Sequence, residues 1–357
     1  MGPERTTGAF PAELAATERL VRSRPGAAQL VVIHDGETVV DYAQHVDHDA
    51  LFWAWSASKP YIAILAHHLA EQGVIDLDQP VAALWPTFGA HGKAHITTRD
   101  VLHHRSGFAS ARTDLGDMLS MTSWRRSIRN IERARPRLTG ASQPAYQFLA
   151  FGFILGEVIQ RATGSSLRDV LDTELLRPIG VSDTFLGLNE DVLDRAVPMR
   201  GSTLRTHIAA AALNHSVTRS AIIPSAGLSL TARDLAVFYL MLAAGGVNTR
   251  GAHVVSPQTI AAATTASHRN QVDAWAREHI AWASGFQLGG PSPNPYPPLG
   301  TASSPSSFGH NGSNVTLGWT DPSRRLTVAY LTSTIRADNP QHITAVADSL
   351  SAHYDAT

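Results

Sequence analysis

Ser56 and Lys59 stand three residues apart in "FWAWSASKPYIAIL", where an aromatic run gives way to a long apolar segment. A serine hydroxyl is a weak nucleophile and needs a base within hydrogen-bond reach before it can attack a carbonyl. A lysine amine becomes that base when burial or a neighbouring charge lowers its pKa toward neutrality. Arginine keeps its proton and could not replace it. Of 29 basic residues only Lys59 and Lys93 are lysines, so a lysine in an apolar setting asks for a reason.

If a helix begins at Ser56, residues i and i+3 share a face and the two side chains meet. Pro60 suits that placement, because its missing N–H is harmless in a first turn. The N–H of Ser56 would then be one of the open donors at the helix end, where the dipole favours a developing anion. Phe52, Trp53 and Trp55 on one side and Tyr61 to Leu65 on the other supply apolar surroundings. The motif alone leaves an alternative open, with Ser56 as a cap and Lys59 as a snorkelling side chain.

The elements that must position the pair follow from periodicity and turn signals. An amphipathic helix is expected around Ala12 to Arg22, then a hairpin in which two β-branched runs flank Asp35-Gly36. The apolar helix after Ser56 should stop near Gly73, and a loop with a short helix follows. Residues 86 to 214 read as a mostly helical insertion with few strand signals. The segment Gly227 to Gly246 reads as a helix with Thr231 as N-cap. Strands are expected at Trp282–Gly289, Asn314–Ser323 and Arg325–Thr334, with Pro291–Ser307 as a surface loop and a closing helix in "QHITAVADSLSAHY". The expected fold is α/β, an antiparallel sheet flanked by helices, with an inserted all-helical domain. Residues 1–85 and 215–357 would form the sheet domain and 86–214 the helical one, with the active site between them.

Composition removes several function classes. A net charge of −1 without a block of like charges argues against a nucleic-acid or membrane-surface partner. The densest basic stretch, Ser123 to Leu138, reads as a solvated helix face with Ile128 and Ile131 turned inward. With no cysteine there is no disulfide, thiol catalysis or zinc–thiolate site. The pairs His67-His68 and His103-His104 lack matched carboxylates or an H-E-x-x-H pattern, so they read as structural, and neither metal nor cofactor is expected. No G-x-S-x-G elbow occurs. The first residues lack the order of a secretory signal and no run approaches a membrane span, which leads to an expected cytoplasmic location.

Beyond the S-x-x-K pair, "ITTRDVLHHRSGF", "AYQFLAFGFILGEVIQRATG", "AGLSLTARDLAVFYLMLAAGG" and "FGHNGSNVTLGWTDPSRRLTVAYL" follow in order. Together these resemble the serine β-lactamase-like superfamily (class C β-lactamases, family VIII carboxylesterases and related secondary-metabolite acyltransferases) from about Leu30 to Ser333. The resemblance implies that Ser56 is the acylated nucleophile, Lys59 its base partner and Tyr146 the tyrosine that shuttles a proton. His310-Asn311-Gly312 falls where that superfamily has Lys-Thr-Gly, which implies an oxyanion hole from the N–H groups of Ser56 and Ser313. Trp55, Phe148, His310, Asn311 and Gly312 are the implied substrate-binding residues. Two positions depart from the pattern: Phe148 stands where an asparagine is usual, and His310 where the lysine is. Both changes weaken recognition of an anionic group and favour a less charged, bulkier acyl group.

The expected function is therefore serine acyl transfer from a small-molecule ester or amide. The acyl group would pass to water in an esterase, or to an amine or alcohol in an acyltransferase. A non-catalytic binding protein on the same fold is the rival. The aromatic residues Phe52, Trp53, Trp55 and Phe148 are expected to shield the acyl-enzyme from water.

Overall fold

The computed structural model describes residues 6–137, 143–269 and 271–354. Its centre is a seven-stranded antiparallel sheet built from both ends of the chain. The strands are β1 (Thr6–Thr7), β2 (Ala28–His34), β3 (Glu37–Gln44), β4 (Gln287–Leu288), β5 (Phe308–Gly312), β6 (Thr316–Asp321) and β7 (Leu326–Thr332). Their spatial order is β1-β3-β2-β7-β6-β5-β4. The β2–β3 hairpin turns on Asp35 and Gly36 at φ 55° and 83°, the left-handed pair that a two-residue hairpin loop requires.

The central strands are buried on both faces, and the period of two shows which layer each side chain meets. Leu30, Val32, Val328 and Tyr330 pack with Leu14, Val21, Ile343, Val346 and Leu350. These come from the N-terminal segment, helix α1 (Ala15–Arg22) and the closing helix, which runs from Asn339 to His353. Val31, Ile33, Ala329 and Leu331 face the opposite way, into a larger cluster. That cluster takes in helix α2 (Lys59–Glu71), helix α3 (Ala150–Thr163) and helix α4 (Ala232–Ala243). A Cβ at Gly318 would strike Tyr239 and Leu235 of α4, so this glycine sets how closely the helix lies on β6. α2 is buried from Lys59 through His67, as expected of a helix apolar all round.

Among the described residues between 86 and 214 the chain is mainly helical, with a few short strands. Thr184–Leu186 joins Leu228–Leu230 and Phe52–Trp53 in a three-stranded sheet, and Arg200–Gly201 pairs in parallel with Thr334–Ile335. Ile128 and Ile131 are buried on the helix Trp124–Arg133 while Arg125, Arg126, Arg129 and Arg133 are exposed; Leu138 lies outside the described residues.

Three sequence expectations need adjusting. Residues 228–230 are a strand, and helix α4 starts only after Thr231, whose hydroxyl accepts from the Asp234 N–H as its cap. The expected strand Trp282–Gly289 shrinks to Gln287–Leu288, because Ala283 N–H donates to Phe286 O across a turn at Gly285 (φ 67°). Ser56 does not open an α-helix. It lies in a 3₁₀ turn, Trp55–Ser58, and α2 begins at Lys59. With three residues per turn, side chains at i and i+3 eclipse, so Ser56 and Lys59 still meet.

Candidate active site

The turn that carries Ser56 is pinned from two sides. Ala54 N–H donates to Leu228 O, Leu228 N–H donates to Ser58 Oγ, and Thr316 Oγ1 donates to Ala54 O. Any side chain at Gly312 would collide with Ala54 O, Thr316 Oγ1 and Trp55, so a glycine there lets β5 lie directly on this turn. Trp55 is held at φ 52°. The N–H groups of Ser56 and Ser313, proposed from sequence as an oxyanion hole, make no hydrogen bond within the described residues.

Lys59 is fully buried. Its Nζ lies 3.3 Å from Ser56 Oγ, 3.0 Å from Phe148 O and 3.1 Å from Ser225 O. The rings of Tyr146 and Phe151 face it at 4.6 and 6.0 Å. Burial holds its pKa well below the ordinary lysine value. A neutral amine has two hydrogens and one lone pair. With those hydrogens on the two carbonyls, a deprotonated Lys59 would have its lone pair free for the Ser56 hydroxyl. Tyr146 O–H donates to Ser56 Oγ at 2.6 Å, and burial raises its pKa above the ordinary phenol value, so the phenol keeps its proton.

The segment bearing Tyr146 hangs on "HHRSGF". Ala145 N–H donates to His104 O, Gln147 N–H donates to His104 Nδ1 and Gln147 Nε2 donates to Ser106 Oγ. His104 thus has a structural role. On the far side stands Asp273, fully buried, whose carboxylate accepts from Tyr146 N–H (2.9 Å), Trp282 Nε1 (3.0 Å), Trp275 N–H (2.9 Å) and Ala276 N–H (2.8 Å). Burial pushes its pKa up and the four donors pull it down. Trp282 stacks on Tyr146 (12°, 5.1 Å) and Trp275 on Phe148 (13°, 5.9 Å).

A cleft of about 360 Å³ opens onto Ser56 and Tyr146. Phe148, His310, Asn311 and Ser313 line it, as do Trp275, Trp282, Tyr296 and Gln287, whose Oε1 accepts from Asn311 N–H. Trp55 and Gly312 do not line the cleft: both are taken up in the seam between the turn and β5. Phe52 and Trp53 are buried in the small sheet, so the aromatic lining comes from Phe148, Trp275, Trp282 and Tyr296 instead of the residues before Ser56. His310 is buried; its Nδ1 donates to Asn311 O at 2.7 Å, and burial together with Lys59 lowers its pKa to about 3. At that value it is a neutral imidazole, with no charge to offer an anionic group. Among the described residues no group of His, Asp or Glu is arranged to hold a metal, and no helix is long and apolar enough to cross a membrane.

Sequence reasoning missed Ser225, Asp273, Trp275, Trp282 and Gln287. Asp273 left one local signal, an aspartate two residues before a tryptophan in "VDAWA", which is the Asx turn now seen. Its tie to Tyr146 across the fold left none.

An antiparallel sheet covered by helices on both faces, with Ser56, Lys59 and Tyr146 gathered where β5 meets the turn before a buried helix, defines the β-lactamase/transpeptidase-like fold class. The Beta-lactamase family profile matches residues 14–350, and the chain belongs to that family. Esterase/beta-lactamase LipL from Mycobacterium tuberculosis is 29% identical over 340 residues, covering 84% of this chain and 75% of LipL. A family VIII carboxylesterase structure superimposes with a TM-score of 0.81 at 25% identity, covering 97% of this chain and all of that one. A penicillin-binding protein homologue from Caulobacter crescentus gives 0.79 at 24% identity, with 97% and 100% covered.

Proposed function

We propose that this protein is a serine acyl-transfer enzyme acting on uncharged esters, with Ser56 as nucleophile, Lys59 as base and Tyr146 as proton relay. The observation that carries this reading is the convergence of Lys59 Nζ and Tyr146 O–H on one hydroxyl oxygen, Ser56 Oγ. Ser56 Oγ passes its proton to Lys59 Nζ and bonds to the substrate carbonyl carbon. The oxyanion lies between the N–H groups of Ser56 and Ser313. Tyr146 gives its proton to the leaving oxygen as the C–O bond breaks, and recovers one from Lys59. In the second half-reaction the acceptor loses a proton to the same pair and bonds to the acyl carbon, and the pair returns that proton to Ser56 Oγ as its bond to the carbon breaks.

Membership of a family with esterase relatives supports hydrolysis as the basal outcome. The aromatic lining from Phe148, Trp275 and Trp282 supports transfer to an amine or alcohol when one is present. Neutral His310 and apolar Phe148 disfavour β-lactams and peptides that carry a carboxylate. Intact-mass spectrometry with a p-nitrophenyl ester tests the reading. A mass gain of one acyl group on the wild type that is absent in Ser56→Ala is expected. No adduct and no turnover with any ester would leave a binding protein on this fold.

A further inference from the structure

His310 presents an atom with no partner. A carbonyl oxygen only accepts, so the bond to Asn311 O places the ring proton on Nδ1 and leaves Nε2 bare. Nε2 is buried and makes no hydrogen bond. The residue is 1% exposed, yet it lines the cleft with Ser56 and Tyr146, and its ring centre lies 6.2 Å from that of Tyr146. A bare buried acceptor in the lining of the cleft that holds Ser56 and Tyr146 calls for a donor from the bound molecule.

Hydrogen counting then separates the acyl acceptors. In deacylation one hydrogen of the acceptor goes to the Tyr146–Lys59 pair as its heteroatom bonds to the acyl carbon. Water and primary amines carry a second hydrogen; alcohols and secondary amines have none left. We infer that His310 Nε2 accepts this second hydrogen, so the site selects acceptors that bear two: water and primary amines over secondary amines and alcohols. The inference rests on the acyl-enzyme proposed above and adds the class of molecule that consumes it. No bond is made or broken at His310, which orients the attacking atom and holds its lone pair toward the carbonyl. The internal competitor is His104, whose Nδ1 accepts from Gln147 N–H, so its own unpartnered Nε2 carries a proton.

The test is partitioning of the p-nitrophenyl ester acyl-enzyme among benzylamine, N-methylbenzylamine and benzyl alcohol. Each ratio is normalised to free base and to reaction with the same ester in solution. The wild type is expected to favour benzylamine over the other two by about fivefold to tenfold, the worth of one hydrogen bond. The preference should collapse in His310→Phe and return in part in His310→Gln, whose amide oxygen can accept. An unchanged ratio in His310→Phe overturns the inference and means that Nε2 is satisfied inside the protein. Should His310→Phe not fold, a wild type with no preference overturns it equally. A wild type that forms no acyl-enzyme defeats the proposed function as well, whereas acylation without selectivity defeats only this inference.

Discussion

The two lysines of this chain occupy similar environments that differ in one partner. Both are fully buried, and each Nζ meets three oxygens. For Lys93 these are Ala90 O (2.7 Å), Glu132 O (3.0 Å) and Ala134 O (2.6 Å), around the end of the helix Trp124–Arg133. Three carbonyls use three hydrogens, so the site suits an ammonium; burial lowers its pKa only to about 8. Lys93 is a cap for open helix carbonyls. For Lys59 one carbonyl is replaced by the hydroxyl of Ser56, which can give a proton as well as take one. On the function proposed above, exchanging one acceptor for a hydroxyl, under deeper desolvation, is what would turn a structural cation into a base. Burial of a lysine is therefore not by itself a mark of catalysis; the third oxygen decides.

The contrast breaks most sharply at Lys59→Arg. The guanidinium cannot take the Ser56 proton, so acylation of a p-nitrophenyl ester should fall by about 10³- to 10⁴-fold, read as burst rate. A rate within tenfold of wild type would remove Lys59 from the base role. Tyr146→Phe keeps the stacking on Trp282 and loses the O–H, and a fall of about 10²- to 10³-fold in kcat with little change in KM is expected. Lys93→Met should leave acylation per folded molecule unchanged and lower stability by about 2–3 kcal/mol, seen as a lower urea midpoint, because three carbonyls, that of Ala134 buried, lose their donor. The gentlest probe is pH. Neutral Lys59 is the active form, so kcat/KM should rise with pH through a midpoint well below the ordinary lysine value and then level. A rise that continues through pH 10 would mean that burial leaves Lys59 protonated.

The sheet, its hairpin and the S-x-x-K pair were legible because each rests on local spacing: alternation, an Asp-Gly turn, an i,i+3 repeat. Tyr146 was legible only through the order of landmarks, since "AYQFLAF" resembles any core segment. Asp273 and Trp282 were not legible, because their contacts join Tyr146 to a loop more than a hundred residues away and neither carries a spacing rule. Trp55 was misplaced for a related reason. A run of aromatic residues beside a serine suggests a pocket wall, but the left-handed backbone at Trp55 and the approach of Gly312 make it a half-buried joint.

The sheet register has a consequence for how the protein is made. Ala28 pairs with Thr332 and His34 with Leu326, so the second strand waits for the seventh before it has both neighbours. The turn bearing Ser56 likewise leans on Leu228 and Thr316, both far downstream. A chain emerging from the ribosome therefore carries its serine and lysine long before anything holds them in place. Such non-local pairing slows folding and delays cooperativity until those downstream segments have been made. The turn that carries Ser56 is made early and held late, because its supports are all made after it.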